Sequence, residues 1–310
     1  MTNSKYNLPK LRRKLATLRN FLRRHVLALI WKKRAESKVR ELKTTFWQTE
    51  SGAAFFIKGS DMETAPAAAV MDAVVNGLFL EHCPANSKVL DVGSGHGIVS
   101  KYLAKHGHSV TAFDVSDVLL KALEDDSTGL EIEIRQGDVA NIPARDGEFD
   151  VVVARMFLGH FPDWPEVLKE MARCCRQGGK LIIHFTASEN ASWGAKFGKH
   201  DCKFADSPDL NVGTDPGYYF AAANHSQIQK ACARAGLRVL ERIPTSFFLH
   251  NRLIGHSLGS GPYQTYQREM SDKLKDKAVR DYVIWFEQNV VRHMPVWFSY
   301  YNVLVLIKCP

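Results

Sequence analysis

Three aspartates stand where apolar, strand-like runs of the sequence end: Asp91, Asp114 and Asp138. Glycines follow the first of them at alternate positions, in the stretch VLDVGSGHG. Glycine permits a tight turn and lets a ligand approach main-chain atoms that a Cβ would shield. A carboxylate at the second run can accept hydrogen bonds from both hydroxyl groups of a ribose, and one at the third can meet the edge of a base. The pattern predicts a nucleoside pocket.

The kind of nucleoside follows from a missing glycine and from charge. A dinucleotide fingerprint, G-x-G-x-x-G, binds pyrophosphate at a helix amino terminus, but this chain has Ile98 where the third glycine is required. Three carboxylates would also make the crevice anionic, which favours a cationic ligand without phosphate. S-adenosylmethionine is such a ligand, because it is an adenosine that bears a sulfonium and an amino acid. We therefore expect S-adenosyl-L-methionine as the cofactor.

Each of these residues also has a structural interpretation that leaves ligands out. Asp91 could cap the helix that follows the glycines, and Gly97 could serve only to let that helix pack closely. Asp114 could be a solvated turn residue. The sequence leaves these alternatives open.

Two histidines are candidates for a catalytic base. Methyl transfer from a sulfonium is an in-line displacement, so an enzyme must hold the nucleophile near the methyl group and exclude water. An oxygen nucleophile usually needs a base as well, and histidine titrates near neutral pH. His160, after the fourth apolar run, is the first candidate, with capping of the helix after Pro162 as the alternative. His184 is the second, although a histidine inside a predicted strand is more often a core residue.

Strands and helices alternate around these residues, which predicts an α/β fold. Runs such as VVVA and LIIHF are apolar on both faces, as expected of a central parallel sheet that helices cover on both sides. Ligands of such sheets bind beyond the carboxyl ends of the strands, where the aspartates and glycines stand. The predicted strands are 88–92, 109–113, 131–135, 149–154, 180–185, 237–242 and 300–307. The predicted helices are 67–80, 98–105, 117–124, 164–176 and 226–235, with Gly178 and Gly179 ending the fourth.

Five motifs in order and spacing resemble the class I S-adenosylmethionine-dependent methyltransferases: VLDVGSGHG, VTAFDVS, QGDVANIP, FDVVVARMFLGHFPD and VLKEMARCCRQGGKLII. The subgroup that the chain looks most like acts on ubiquinone, menaquinone, sterols and other small molecules. The similarity covers residues 85–186 well and residues 226–242 loosely. It implies a Rossmann-like, seven-stranded, mostly parallel sheet whose last strand inserts antiparallel.

The resemblance also implies roles for single residues. Those implied are Asp91, Gly93 and Gly95 at the methionine end of the cofactor, Asp114 at the ribose, Asp138 and Val139 beside the adenine, and Arg155 and Met156 beside the transferred methyl group.

Basic charge is concentrated at the amino terminus. Residues 1–44 carry a net charge of +12, which leaves −4 for residues 45–310. Leucines at alternating three- and four-residue steps indicate an amphipathic helix in this arm with a cationic polar face. We expect the arm to lie on an anionic membrane surface, with the protein peripheral on the cytosolic face. Three alternatives stay open: packing on the protein's own domain or in a homodimer, a nucleic-acid arm, and a mitochondrial presequence.

The rest of the chain is predicted to be one methyltransferase domain, residues 45–310, with a helical insert at 245–297. Aromatic residues in segments 44–60, 218–220 and 245–297 could form a lid over the acceptor, or be ordinary core residues. No run of 18 apolar residues predicts a membrane span. The six cysteines lack regular spacing and fit reduced thiols in a cytosol. We expect no metal site, since the cluster His200-Asp201-Cys202 stands alone.

These features together favour an enzyme that O-methylates a lipid-linked, quinone-like or polysaccharide acceptor at the membrane surface. An RNA- or protein-directed methyltransferase is the first alternative, although the charge of −4 over residues 45–310 disfavours an acidic partner. A cofactor-binding module without catalysis is the second.

Overall fold

The computed structural model describes residues 41, 47–58, 65–186, 223–248, 260–299 and 301–310. Except for Glu41, the predicted basic arm lies outside these residues, as do the aromatic segment 218–220 and the cluster His200-Asp201-Cys202.

Helices and strands alternate through the described residues. The helices are α1 Glu50–Lys58, α2 Pro66–His82, α3 Ile98–Lys105, α4 Asp117–Asp125, α5 Trp164–Cys174, α6 His225–Arg234, α7 Ser260–Lys273 and α8 Lys277–Asn289. The strands are β1 Lys88–Val92, β2 Ser109–Asp114, β3 Ile132–Gln136, β4 Phe149–Arg155, β5 Cys175–Thr186, β6 Leu237–Thr245 and β7 Tyr301–Lys308. Short 3₁₀ turns cover Leu158–His160, Val291–His293 and Val296–Phe298.

The strands form a seven-stranded sheet in the order β3-β2-β1-β4-β5-β7-β6. Neighbours from β3 to β5 pair in parallel, whereas β7 lies between β5 and β6 and runs antiparallel to both. This is the predicted Rossmann-like sheet with an antiparallel last strand. Because β1 pairs in parallel with both β2 and β4, the loops that follow these three strands lie side by side at their carboxyl ends.

Apolar residues on both faces of the central strands explain the layered packing. Along β4, Val151 and Val153 pack with α2 and α3, whereas Val152 and Ala154 face the core formed by α5 and α6. Successive strand residues point to opposite faces, so an unbroken apolar run needs cover on both. The helices on either side supply that cover.

The predicted boundary between α5 and β5 is wrong. The helix predicted at 164–176 ends at Cys174, and β5 begins at Cys175 instead of Lys180. Cys175 pairs with Phe149, and the register then shifts before the pairing of Val151 with Lys180. A Cβ at Gly179 would overlap the main chain of Asp150 and Arg176, so this glycine serves a close approach inside the strand instead of ending the helix.

The helical insert packs beside α2. Leu274 and Val283 share a small core with Val70 of α2. Arg292 and Glu81 form a further ion pair between the end of the insert and α2. None of the helices in the described ranges is long and apolar enough to span a membrane.

Candidate active site

A cleft of about 610 Å³, open to solvent, lies at the carboxyl ends of β1, β2 and β4. Of the site residues predicted from sequence, it brings together Gly93, Gly95, Asp114, Arg155, Met156 and His160. Trp47, Val115, Leu119, Phe157 and Phe161 complete the lining.

The glycine loop after β1 is held against β2. The N–H groups of Gly93 and Ser94 both donate to the carbonyl oxygen of Phe113, at 2.8 and 3.1 Å. Gly93 has φ +73°, in the left-handed region, and a Cβ there would overlap the ring of Phe157. The loop therefore needs glycine at position 93 both for its turn and for the approach of this ring.

Asp114 fastens the same loop from the end of β2. Its carboxylate accepts hydrogen bonds from the N–H groups of Gly95 and Ser116, each at 2.9 Å. Burial raises the pKa of the Asp114 carboxyl, and these main-chain hydrogen bonds oppose that shift. Two carboxylate oxygens offer about four acceptor positions, so Asp114 keeps capacity for ligand hydroxyl groups.

Asp91 lies behind the loop and does not line the cleft. Its side chain is buried, and it accepts a hydrogen bond from Oγ of Ser100 in α3 at 2.6 Å. Burial raises the pKa of Asp91 to about 7, and the nearby charge of Asp114 adds to the effect. The contact supports the alternative in which Asp91 anchors the helix after the glycines.

Two features mark the end of β4. Met156 has φ +54°, an uncommon conformation for a residue with a Cβ, and its N–H donates to the carbonyl oxygen of His184 at 3.1 Å. Arg155, the last residue of β4, forms an ion pair with Asp72 of α2. Burial lowers the pKa of the Arg155 guanidinium to about 10, which leaves it protonated at neutral pH.

His160 lies in the 3₁₀ turn after β4, at the wall of the cleft. The rings of His160 and Trp47 meet edge to face, with centroids 5.6 Å apart. Asp163, not His160, occupies the N-cap position of α5. His160 therefore stands where a base would be useful and outside the position of the helix cap.

Besides Asp91, three of the predicted site residues lie outside the lining of this cleft. His184 is fully buried in β5, with Nε2 3.1 Å from Oγ1 of Thr245. This environment is typical of a histidine in the core. Asp138 is exposed and accepts a hydrogen bond from the N–H of Ala140, whereas Val139 is buried in the core. The last two follow β3, one strand beyond Asp114 in the sheet.

Sequence reasoning missed several residues of the site. Phe157 and Phe161 line the cleft and pack on each other, with ring centroids 4.9 Å apart. Their signal was their position in the loop after the fourth strand, where ligand contacts concentrate. Asp72 was also missed, although a lone acid in the apolar run AAAVMDAVV is unusual.

The described aromatic residues of the segments predicted to form a lid or to belong to the core lie in two places. Trp47 lines the cleft, whereas Phe247, Phe248 and Phe286 pack on one another beside the insert. Within the described ranges, no group of three or more His, Cys, Asp or Glu side chains could hold a metal ion.

The donor set of the cleft fits the expected cofactor. On the β2 side it offers a carboxylate, Asp114, and the main chain of Gly93 and Gly95, which suit ribose hydroxyl groups and a positive charge. The fold and this cleft define a Rossmann-like methyltransferase domain.

Comparisons with known proteins agree. Residues 90–183 match the family described as a methyltransferase domain. Over 103 residues the chain is 35% identical to a ubiquinone biosynthesis O-methyltransferase of Xanthomonas axonopodis pv. citri, covering 32% of this chain and 43% of that protein. The protein of the same name from Azotobacter vinelandii is 37% identical over 102 residues, which cover 32% of this chain and 44% of the relative. The chain thus spans less than half the length of the curated relatives it matches.

A solved structure extends the likeness in fold. Magnesium protoporphyrin IX methyltransferase from Synechocystis PCC 6803, with bound SAH, has a TM-score of 0.53 and 14% identity, covering 87% of this chain and 99% of that one. Residues 90–183 therefore form a methyltransferase domain of the class I S-adenosylmethionine-dependent type, an enzyme domain whose cofactor is S-adenosylmethionine, and the solved structure supports the same fold.

Proposed function

We propose that the protein transfers the methyl group of S-adenosylmethionine to an oxygen of a small acceptor that is quinone-like, lipid-linked or part of a polysaccharide. The observation that carries the proposal is the cleft, in which the glycine loop, Asp114 and His160 meet. The names of the relatives, ubiquinone biosynthesis O-methyltransferases, support an oxygen acceptor.

The cofactor supplies an electrophilic methyl group on a sulfonium. In this proposal the main chain of Gly93 and Gly95 and the carboxylate of Asp114 hold it directly. Asp138 and Val139 extend the site toward the adenine, and Asp91 acts from behind through α3. Arg155 and Met156 border the end where transfer takes place.

His160 is the proposed base. It lies beside Arg155 and Met156 in the lining of the cleft, and a neutral imidazole there can take the proton of an acceptor hydroxyl. Trp47 and Phe161 can exclude water from the same end. His184, buried away from the cleft, remains the second candidate.

Calorimetry with S-adenosylmethionine and S-adenosylhomocysteine tests the cofactor site. Asp114→Ala should weaken binding about tenfold to a hundredfold, because a hydrogen bond to a charged group contributes about 1.5–3 kcal/mol. Asp150→Ala is the matched control, since Asp150 lies near the start of β4, at the strand end away from the cleft, and pairs with Arg176. Equal affinity of wild type and Asp114→Ala would refute the assignment.

Transfer of a labelled methyl group tests the reaction. Label should enter a lipid extract and not a nucleic-acid or protein pool; the opposite distribution would favour the macromolecular alternative. His160→Ala should then lower kcat about 10²–10⁴-fold while cofactor affinity is retained. A loss of less than about threefold would exclude His160 as the base.

The proposed role of residues 1–44 is membrane attachment through their basic charge. Flotation with anionic liposomes at physiological salt compares the full chain with one that begins at Glu41. We expect the full chain to float and the shortened chain to remain below. Equal behaviour of the two would end the membrane hypothesis.

A further inference from the structure

A buried ion pair lies at the end of β4, where Arg155 lines the cleft. The side chains of Arg155 and Asp72 are only 9% and 10% exposed, and Nη2 of Arg155 pairs with Oδ1 of Asp72. Asp72 lies on α2, 83 residues before Arg155, within an apolar stretch of that helix. Desolvating two charges is costly, so this pair is not a general device for stability.

The guanidinium has hydrogen-bonding capacity left over. Nε of Arg155 is buried and has no hydrogen-bond partner, although Arg155 itself lines the cleft. A buried donor without an acceptor is unfavourable, and an arginine fork matches two oxygens of an acid. An acidic oxygen of a ligand in the cleft would supply the missing acceptor.

Charge is distributed unevenly across the cleft. Asp114 ends β2 and Arg155 ends β4, with β1 between them, so their strands are about 10 Å apart. The cationic cofactor suits the side of Asp114. Asp72 pairs with the guanidinium, and a second anion could lie between Arg155 and the sulfonium; because the cofactor carries a carboxylate of its own, an anionic acceptor must be tested with the cofactor site already filled. An anionic acceptor completes the alternation of charges.

The remaining lining indicates what carries the anion. Phe157, Phe161 and Trp47 present ring surfaces to the same cleft. Aromatic faces and edges favour a flat, conjugated partner.

We propose that Arg155 binds an ionised oxygen, as carboxylate, phenolate or enolate, on an aromatic or conjugated acceptor, and that Asp72 positions the guanidinium. The inference rests on the proposed function, because it assigns the acceptor class of that same cleft. Arg155 contacts the substrate, and Asp72 acts through Arg155 as a positioning residue.

The experiment uses 4-nitrophenol, whose phenolate is visible by absorbance, with the full-length protein saturated in S-adenosylhomocysteine. A cationic site favours the phenolate, so the apparent pKa of the bound probe should fall by about one unit. Arg155→Met should abolish this fall, and Arg155→Lys should restore part of it. Asp72→Asn keeps an accepting oxygen and removes the countercharge, so the fall should be at least as large as in wild type.

Calorimetry with benzoate and benzamide separates carboxylate from phenolate recognition and needs no variant. Wild type should bind benzoate at least tenfold more tightly than its neutral isostere if carboxylates are accepted. Arg176→Met is the matched control, since Arg176 pairs with Asp150 at the opposite end of the sheet. It should leave both probes unaffected.

The inference is overturned if neither anion binds wild type at millimolar concentration, or if Arg155→Met shifts nitrophenol as wild type does. Calorimetry with S-adenosylhomocysteine alone keeps the two proposals apart. Loss of cofactor binding with an Arg155-dependent shift retained would refute the proposed function and leave the anion site. Cofactor binding without an Arg155-dependent shift in the pKa of nitrophenol would refute the anion site and leave the proposed function.

Discussion

The two aspartates beside the glycine loop differ in what surrounds them. Asp114 borders the cleft and holds Gly95, whereas Asp91 is buried against Ser100 of α3. A carboxylate in an apolar surrounding is harder to ionise, which explains the raised pKa of Asp91. The same residue type thus borders the cleft at one position and holds a helix at the other.

Asp91→Asn separates anchoring from ligand contact. The pKa of Asp91 is raised to about 7, so the native state retains a proton that the unfolded chain has released. The ionisation of Asp91 therefore lowers the free energy of unfolding of the wild-type protein as pH rises from about 4 to 7. The variant should gain stability over wild type across this window, by at least about 1 kcal/mol at pH 8, in denaturant titrations.

Asparagine can still accept the hydrogen bond from Ser100, so cofactor affinity should fall less than threefold. A loss as large as that of Asp114→Ala would instead favour direct contact between Asp91 and the cofactor.

At the scale of elements, α3 starts from the glycine loop, where Gly97 lies close to Leu123 of α4. Gly97 is the N-cap of α3 with φ +82°, and a Cβ there would overlap Leu123 of α4. The alternative in which Gly97 permits close helix packing therefore describes what this position does.

Gly97→Ala should lower the free energy of unfolding by about 2–5 kcal/mol. Left-handed backbone costs about 1–2 kcal/mol in a residue with a Cβ, and overlap with Leu123 adds about 1–3 kcal/mol. Gly129→Ala is the matched control, because Gly129 has the same φ of +82° with no atom within 4 Å of a Cβ. Equal losses in chemical denaturation would mean that packing against Leu123 contributes nothing.

At the scale of the whole molecule, a buried acid of α8 contacts the chain just past β6. Glu287 of α8 is 4% exposed and accepts a hydrogen bond from the N–H of Phe248, just past β6, at 3.3 Å. Burial raises its pKa to about 7, although main-chain N–H groups at 246–248 favour the ionised form. The contact between α8 and the chain just past β6 therefore depends on a carboxyl group, Glu287, whose pKa lies near neutral pH.

Glu287→Gln should stabilise the protein more at pH 8 than at pH 5. The pKa is raised in the native state, so wild type loses stability as pH rises from about 4.5 to 7. Thermal unfolding across pH measures the difference between the two proteins.

Glu81→Gln provides a control of opposite sign, because the ion pair with Arg292 lowers the pKa of Glu81. Glu81 is partly exposed, so the pair adds little to the free energy of unfolding, and this addition is lost as pH falls. A pH-independent difference between Glu287→Gln and wild type would contradict the prediction.

The sequence by itself determined the alternation of strands and helices and the glycine turn, since these follow from local period and spacing. The expected cofactor followed from Ile98 and the three carboxylates, and the resemblance to a known family implied the antiparallel last strand. Strand residues alternate between two faces, so VVVA requires cover on both, and a glycine loop after such a strand lies at its carboxyl end. Only the tertiary structure decided which side chains meet across long separations. It turned Asp91 toward Ser100, set Trp47 against His160 and paired Asp72 with Arg155. Such contacts depend on the packing of distant helices, which no local pattern of residues encodes.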